Sequence, residues 1–336
     1  MSSDEKRNRL ADLLSSAFVI LADGGIETRL KYEFGIPLPE FASFLPLFDE
    51  AQRPALEAIY RSYIAIAVEF RRTMQVGTPT WRAHPECLKR LGFKKPEDLH
   101  RVNAQAVALL QTLKSDGAAH DLVVIAGVIG PRRDGYDPHN APSADEAHRY
   151  HAAQAAVLAA LGVDLLYAPT FASAAELRGV ARAMAATGLP YALAPVVDAS
   201  GRMLDGNPLA DVIKLIDETV DPPPLHYLVG CVHPTRFGQA FQVIRRTPVA
   251  GSRLIGLKAN ASTLPPEELN RLDHLDAGQV TVFGEEMVAL RRDYGLKMLG
   301  GCCGTREHHI RAIAEGIQRM EQSAFSKEDF VGTPRL

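Results

Sequence analysis

The sequence predicts an α/β protein of one domain, a single (β/α)8 (TIM) barrel. Three observations predict it. Short apolar or β-branched runs alternate with longer segments of helical periodicity, eight times over 336 residues. Gly and Pro punctuate several of the joins. No linker, charge block or compositional break divides the chain, although its length alone would allow two domains. The barrel core is expected over about residues 17–320 of a domain spanning the chain, with loose or docking termini.

In chain order the expected strands are Phe18–Ala22, Val68–Val76, Leu122–Val128, Val163–Tyr167, Tyr191–Val197, His226–Gly230, Leu254–Lys258 and Met298–Gly300. Ala55–Ala67, His151–Leu161, Ala174–Ala186 and Ile310–Met320 carry apolar residues at a spacing that suits helices laid on a sheet. Thr187 is followed by Gly188, Leu189 and Pro190, a helix stop placed just before the strand at Tyr191; Leu161 and Gly162 repeat the signal before Val163. Pro222-Pro223-Pro224 reads as a rigid extended lead into the sixth strand. Met1–Leu10 and Ser323–Leu336 are polar and largely aperiodic.

Composition removes several classes of function. A formal net charge of −3 leaves no footprint for a polyanion, so no nucleic-acid partner is expected. No apolar run reaches the roughly 18 residues that span a bilayer, and the charged N-terminus lacks the apolar core of a signal peptide. A cytoplasmic protein with no membrane partner is expected, and homo-oligomerisation stays open. In a reducing compartment Cys87, Cys231, Cys302 and Cys303 are better suited to metal binding or catalysis than to disulfides.

The strongest local signal is Gly300-Gly301-Cys302-Cys303-Gly304-Thr305, two adjacent thiols at the end of the last expected strand, with Cys231 at the end of the sixth. The C-terminal strand ends of a barrel converge on one face, where active sites sit. Three thiolates with an open fourth position form a zinc site that can take water or substrate. The competing reading is three small buried side chains with no metal, since no CxxC pair is present. Cys87, within an expected helix at Pro85–Leu91, reads as core.

These residues resemble the homocysteine S-methyltransferase family. Asp23-Gly24-Gly25-Ile26-Glu27-Thr28 is similar to its N-terminal signature, Gly230-Cys231 with Pro234 to its middle one, and Gly300–Thr305 running on to His309-Ile310 to its terminal one. Ile129-Gly130-Pro131 and Asn260 are weaker echoes. The resemblance implies a barrel that holds Zn2+ through Cys231, Cys302 and Cys303. Its partners would be small molecules: a methyl donor of onium or folate type, and a thiol acceptor, homocysteine, giving methionine. It also places Asp23 at the substrate. The metal would keep the acceptor sulfur as a thiolate for in-line attack on the donor methyl.

Some positions depart from the family pattern. Pro169 stands where a glutamate usually helps to hold the amino-acid substrate, and Gly230 stands where Asn usually precedes the first cysteine. Glu27 replaces a small residue; it either takes over the ammonium-binding role lost at Pro169 or is a solvated loop carboxylate. The loop Gly77–His84 contributes Thr80 and Trp81 as substrate-binding candidates, with the Trp81 ring suited to a methyl-onium donor by cation–π attraction or else to plain packing. Arg82 is open to a substrate carboxylate or to solvent, and His84 could line the mouth. Asn260 is a further hydrogen-bond candidate on the same face, and His233 is expected in the loop or behind the ligands. The alternatives are the same chemistry on another thiol, or a zinc-holding binding protein without catalysis.

Overall fold

The computed structural model describes residues 1–264, 268 and 274–331, with side chains as far as Ser323. The strands are β1 (Ile20–Ala22), β2 (Met74–Gly77), β3 (Val123–Val128), β4 (Leu165–Phe171), β5 (Tyr191–Pro195), β6 (His226–Val232), β7 (Leu254–Ala259) and β8 (Met298–Gly301). All pair in parallel and in sequential order. The sheet closes where β8 returns to β1 through Ile20↔Met298 and Leu21↔Leu299. Alternation along each strand divides the core in two. On β3, Val124, Ala126 and Val128 point into the barrel, while Val123 and Ile125 point out to the helices.

The helical layer follows the strands in βα order. Helix α1 (Ser3–Ser15) precedes the barrel. After it come α2 (Glu27–Tyr32), α3 (Arg53–Phe70), α4 (Pro85–Arg90), α5 (Asp98–Lys114), α6 (Ala144–Ala160) and α7 (Ala174–Ala185). The remaining helices are α8 (Leu209–Thr219), α9 (Pro234–Ile244), α10 (Pro248–Arg253), α11 (Val280–Tyr294) and α12 (Glu307–Val331). Gly162 and Gly188 follow α6 and α7 at φ 84° and 72°, the left-handed conformation that their stop signals require. Among the described residues no helix is long and apolar enough to cross a membrane.

The structure corrects two expectations and decides a third that was open, whether the N-terminus is loose or docked. Val68 and Phe70 belong to α3, which ends at a left-handed Arg71 (φ 49°), so the second strand is only Met74–Gly77. The N-terminus is an ordered helix. Its capping box joins the Ser2 hydroxyl to the Glu5 amide (3.2 Å) and the Ser2 amide to the Glu5 carboxylate (2.6 Å). Leu10, Leu13 and Leu14 then close the bottom of the barrel against Ile20, Val124, Leu165 and Met298, so this terminus docks. Finally, β4 and β6 run on to Phe171 and Val232, further than expected, and each contains an irregularity that matters to the site.

Candidate metal centre

The cysteines meet because of that irregularity. In β6, Val229 and Val232 both face the helical layer although they lie three residues apart, so strict alternation fails between them. The extra residue is Cys231, held at φ 57° beside a register shift from Gly230 to Val232. The bulge turns its side chain to the mouth of the barrel. Strand β4 repeats the device. Ala168 and Phe171 share the outer face, the register shifts between Pro169 and Phe171, and Thr170 sits at φ 65°. A left-handed β-branched residue is rare and strained, on the order of 1–3 kcal/mol. The two strained residues face each other, with Thr170 Oγ1 3.3 Å from Cys231 Sγ.

The other two sulfurs come from the turn after β8. Its backbone is fixed from both sides: the Cys302 amide donates to Ala259 O (2.7 Å), the Ala261 amide to Cys303 O (3.0 Å), and the Gly301 amide to Asp23 O (3.0 Å). The Thr305 hydroxyl donates to Cys302 O at 2.7 Å and accepts from the Gly25 amide at 3.0 Å. This approach is so close that a Cβ at Gly25 would lie 2.7 Å from Cys302 O, which explains the glycine pair after Asp23.

The Sγ atoms of Cys231, Cys302 and Cys303 all lie within 4.8 Å of one another, and those of Cys231 and Cys302 touch, with their Cα atoms 5.6 Å apart. Zn–S bonds of about 2.3 Å in a tetrahedron put sulfurs about 3.8 Å apart, inside that envelope. Burial first, and the Glu27 carboxylate second, push the Cys303 thiol up to about 12. Without a cation this sulfur stays protonated, and a bound divalent metal reverses the preference. Donor type and electrostatics therefore fit a thiophilic metal, which the three sulfurs would hold once the touching Cys231 and Cys302 sulfurs move apart.

Around the sulfurs, the residues expected at the site separate into two groups. Asn260 lies directly behind Cys231: its amide nitrogen donates to Cys231 O (2.9 Å), while its buried Oδ1 has no partner among the described residues. Glu27 opens α2 and is half-buried. It accepts from the Ser43 hydroxyl at 2.7 Å, and burial raises its carboxyl above the usual range, so it is not a solvated loop residue. Asp23 is buried at the end of β1. It accepts from the Gly77 amide at 2.8 Å and is paired with Lys258, an internal cation.

The loop after β2 supplies structure more than contacts. Thr80 is fully buried, and its hydroxyl donates to Val128 O and meets Thr78 Oγ1, both at 2.6 Å. Trp81 donates to Pro169 O at 3.3 Å and caps the barrel interior. The Arg82 guanidinium lies 4.1 Å over its ring, filling one face with an internal cation. Arg82 also donates to Pro131 O (3.1 Å) and Arg133 O (2.7 Å), so it is neither solvated nor free for a carboxylate. His84 is buried as the N-cap of α4, with its Nδ1 2.6 Å from the Tyr150 hydroxyl. His233 is the N-cap of α9 and pairs with Thr235 and Glu286, away from the sulfurs. Cys87 is fully buried in α4, apart from the other cysteines.

Four neighbours escaped the sequence reading: Thr170, Lys258, Tyr167 and Tyr136. Tyr136, in the loop after β3, lies beside Asn260 and Cys303. Lys258 shares strand parity with Gly256, which pairs with the inward-facing Met298, a register that only the folded barrel shows.

Comparison with known proteins agrees with this geometry. The family model described as homocysteine S-methyltransferase matches residues 20–317. Betaine–homocysteine S-methyltransferase 1 of Bos taurus is 24% identical over 331 residues, 92% of this chain and 74% of that one. Methionine synthase of Mycobacterium tuberculosis is 22% identical over 93% of this chain, which spans about a quarter of that protein (26%). The metallated form of the homocysteine methyltransferase MmuM from Escherichia coli shares the fold. Its TM-score is 0.71 at 17% identity, over 92% of this chain and 99% of that one. With a family model that covers nearly all of the barrel, the chain belongs to the homocysteine S-methyltransferase family of enzymes.

Proposed function

We propose that this chain is a zinc-dependent S-methyltransferase that moves a methyl group from an onium or folate-type donor to a small thiol, homocysteine by the family's example. The observation that carries the reading is the meeting of three cysteine sulfurs within 4.8 Å at the face where barrel enzymes do their chemistry. Zinc bound by Cys231, Cys302 and Cys303 supplies a Lewis acid that keeps an acceptor sulfur deprotonated at neutral pH, with one position left for it by a three-cysteine set. For an onium donor, the new S–CH3 bond forms as the donor's own bond to that methyl breaks. The electron pair returns to the donor, and no general base is needed in that step.

The protein's task is then positioning. Thr170 and Asn260 hold the side chain and the backbone of Cys231. Glu27, beside Cys303 and accepting from the Ser43 hydroxyl, is the carboxylate left to receive an acceptor ammonium where Pro169 offers none. Asp23 and Lys258 border the same space, Trp81 closes it, and Thr80 braces the wall. A second reading, methyl transfer to a different thiol, is favoured by Pro169 together with an Asp23 already satisfied by Lys258. The test is mass spectrometry of products after incubation with S-methylmethionine, S-adenosylmethionine, betaine or methylfolate and a panel of thiols. Methylated homocysteine supports the first reading and another methylated thiol the second; no methylated thiol from any pair overturns both.

A further inference from the structure

The barrel interior just below the sulfurs is built to admit one long side chain. Gly230, Lys258 and Gly300 are in register on three adjacent strands. Beyond the glycines stand alanines: a Cβ on Gly300 would lie 2.6 Å from that of Ala22, and one on Gly230 3.8 Å from that of Ala194. In a parallel barrel, residues in register point the same way, so Lys258 rises through a layer of Gly and Ala between the two strands that lead to the cysteines. Its side chain is 13% exposed.

The ammonium has capacity to spare. A lysine carries three N–H donors, and the hydrogen-bond partner of Lys258 among the described residues is Asp23. Asp23 is already engaged at both oxygens, one on Lys258 and the other on the Gly77 amide. The Tyr167 ring lies 5.9 Å from the Lys258 ammonium. Among the described residues its hydroxyl is buried without a hydrogen-bond partner, and burial keeps it protonated as a donor. A buried hydroxyl left unmatched beside a half-used cation calls for an anionic acceptor that both can reach.

We propose that Lys258, with the Tyr167 hydroxyl beside it, anchors the carboxylate of the acceptor thiol, so that the pocket selects a mercapto-carboxylate by its anionic end. The proposal rests on the reading of the centre as a thiol methyltransferase and adds which residues of this chain hold the acid end of the acceptor. The polarity follows from the pocket: the cation comes from β7, whereas β4 offers proline.

Calorimetric binding to the zinc-loaded protein tests this apart from turnover. The probes are homocysteine against its carboxamide, and 4-mercaptobutanoate against 4-mercaptobutanamide. In the wild type each carboxylate is expected to bind about 10–100-fold tighter than its amide, as for a charge-assisted hydrogen bond. Tyr167→Phe should weaken carboxylate binding by about 2–10-fold and amide binding by less, since a neutral carbonyl makes the weaker bond to the same hydroxyl. Lys258→Met should bring the ratio to about one. Because that variant leaves Asp23 buried without its cation, the double variant Asp23→Asn/Lys258→Met, which keeps the charge balance, must show the same collapse. Equal binding of acid and amide to the wild type, binding of neither, or a preference that survives both Lys258 variants overturns the proposal. A wild type that prefers carboxylates yet methylates no thiol would overturn the methyltransferase reading and leave the anchor standing; turnover without the preference would do the reverse.

Discussion

Lys258 sets its ammonium against Asp23 across the mouth of the barrel and ties β7 to the turn after β1, with the two side chains 13% and 3% exposed. The residues are 235 apart in sequence, and the pair sits among the groups that surround the cysteine sulfurs. Removing one member of a pair this buried strands the other charge, whereas removing both does not.

Lys258→Met and Asp23→Asn are therefore each expected to lower unfolding stability by about 3–5 kcal/mol, and the double variant to recover most of that loss. Urea denaturation of the three variants checks this. Additive losses would show that the pair is not coupled.

Burial, with Arg253 adding to it, brings the imidazole of His226 down to about 3 at the bottom of the barrel. The folded state thus holds this histidine neutral, while the unfolded chain takes up a proton near its usual value of about 6.5. Stability contributed by the neutral ring is present above that pH and is lost as pH falls toward 3, at up to about 1.4 kcal/mol per unit. His226→Leu should flatten the acid limb of a stability-versus-pH curve. An unchanged limb would place the proton uptake elsewhere.

Helix α1 seals the barrel floor through Leu10, which is 8% exposed. Leu10→Ala is expected to cost about 2–3 kcal/mol, near the lower end for a buried leucine because the site adjoins solvent. Thermal unfolding measures it. A loss below about 0.5 kcal/mol would show that the helix only rests on the surface.

Gly25→Ala would drive a methyl group against Cys302 O and Thr28 Oγ1, at 2.7 and 2.5 Å. The turn must shift, at about 1–3 kcal/mol, and the cysteine geometry shifts with it. Circular dichroism should show the barrel retained while metal retention falls. Full retention would show that the turn yields without moving the sulfurs.

These residues also mark how far the sequence could be read. The barrel was legible because parallel strands buried on both faces are near-continuous apolar runs, and because Gly162 and Gly188 announce the helix ends just before β4 and β5. The Cys302-Cys303 turn was legible because Gly300, Gly301 and Gly304 surround it. The bulges at Thr170 and Cys231 were not, since a left-handed residue in the middle of a strand is imposed by packing and neither Thr nor Cys signals it. Nor was the Lys258–Asp23 pair, which joins distant strands through tertiary structure alone. Helix α1 was not read, because the polarity of Met1–Leu10 masks the capping pair Ser2 and Glu5 and the spacing of Leu10, Leu13 and Leu14.

The most direct measurement of the central claim is zinc content per chain, after purification under reducing conditions at neutral pH, for the wild type and for Cys231→Ser, Cys302→Ser, Cys303→Ser and Cys87→Ser. The account predicts about one zinc per chain in the wild type and in Cys87→Ser, and a large loss in each of the other three, since three thiolates form the whole protein ligand set. A wild type without zinc, or a Cys302→Ser variant that retains it in full, would contradict the account.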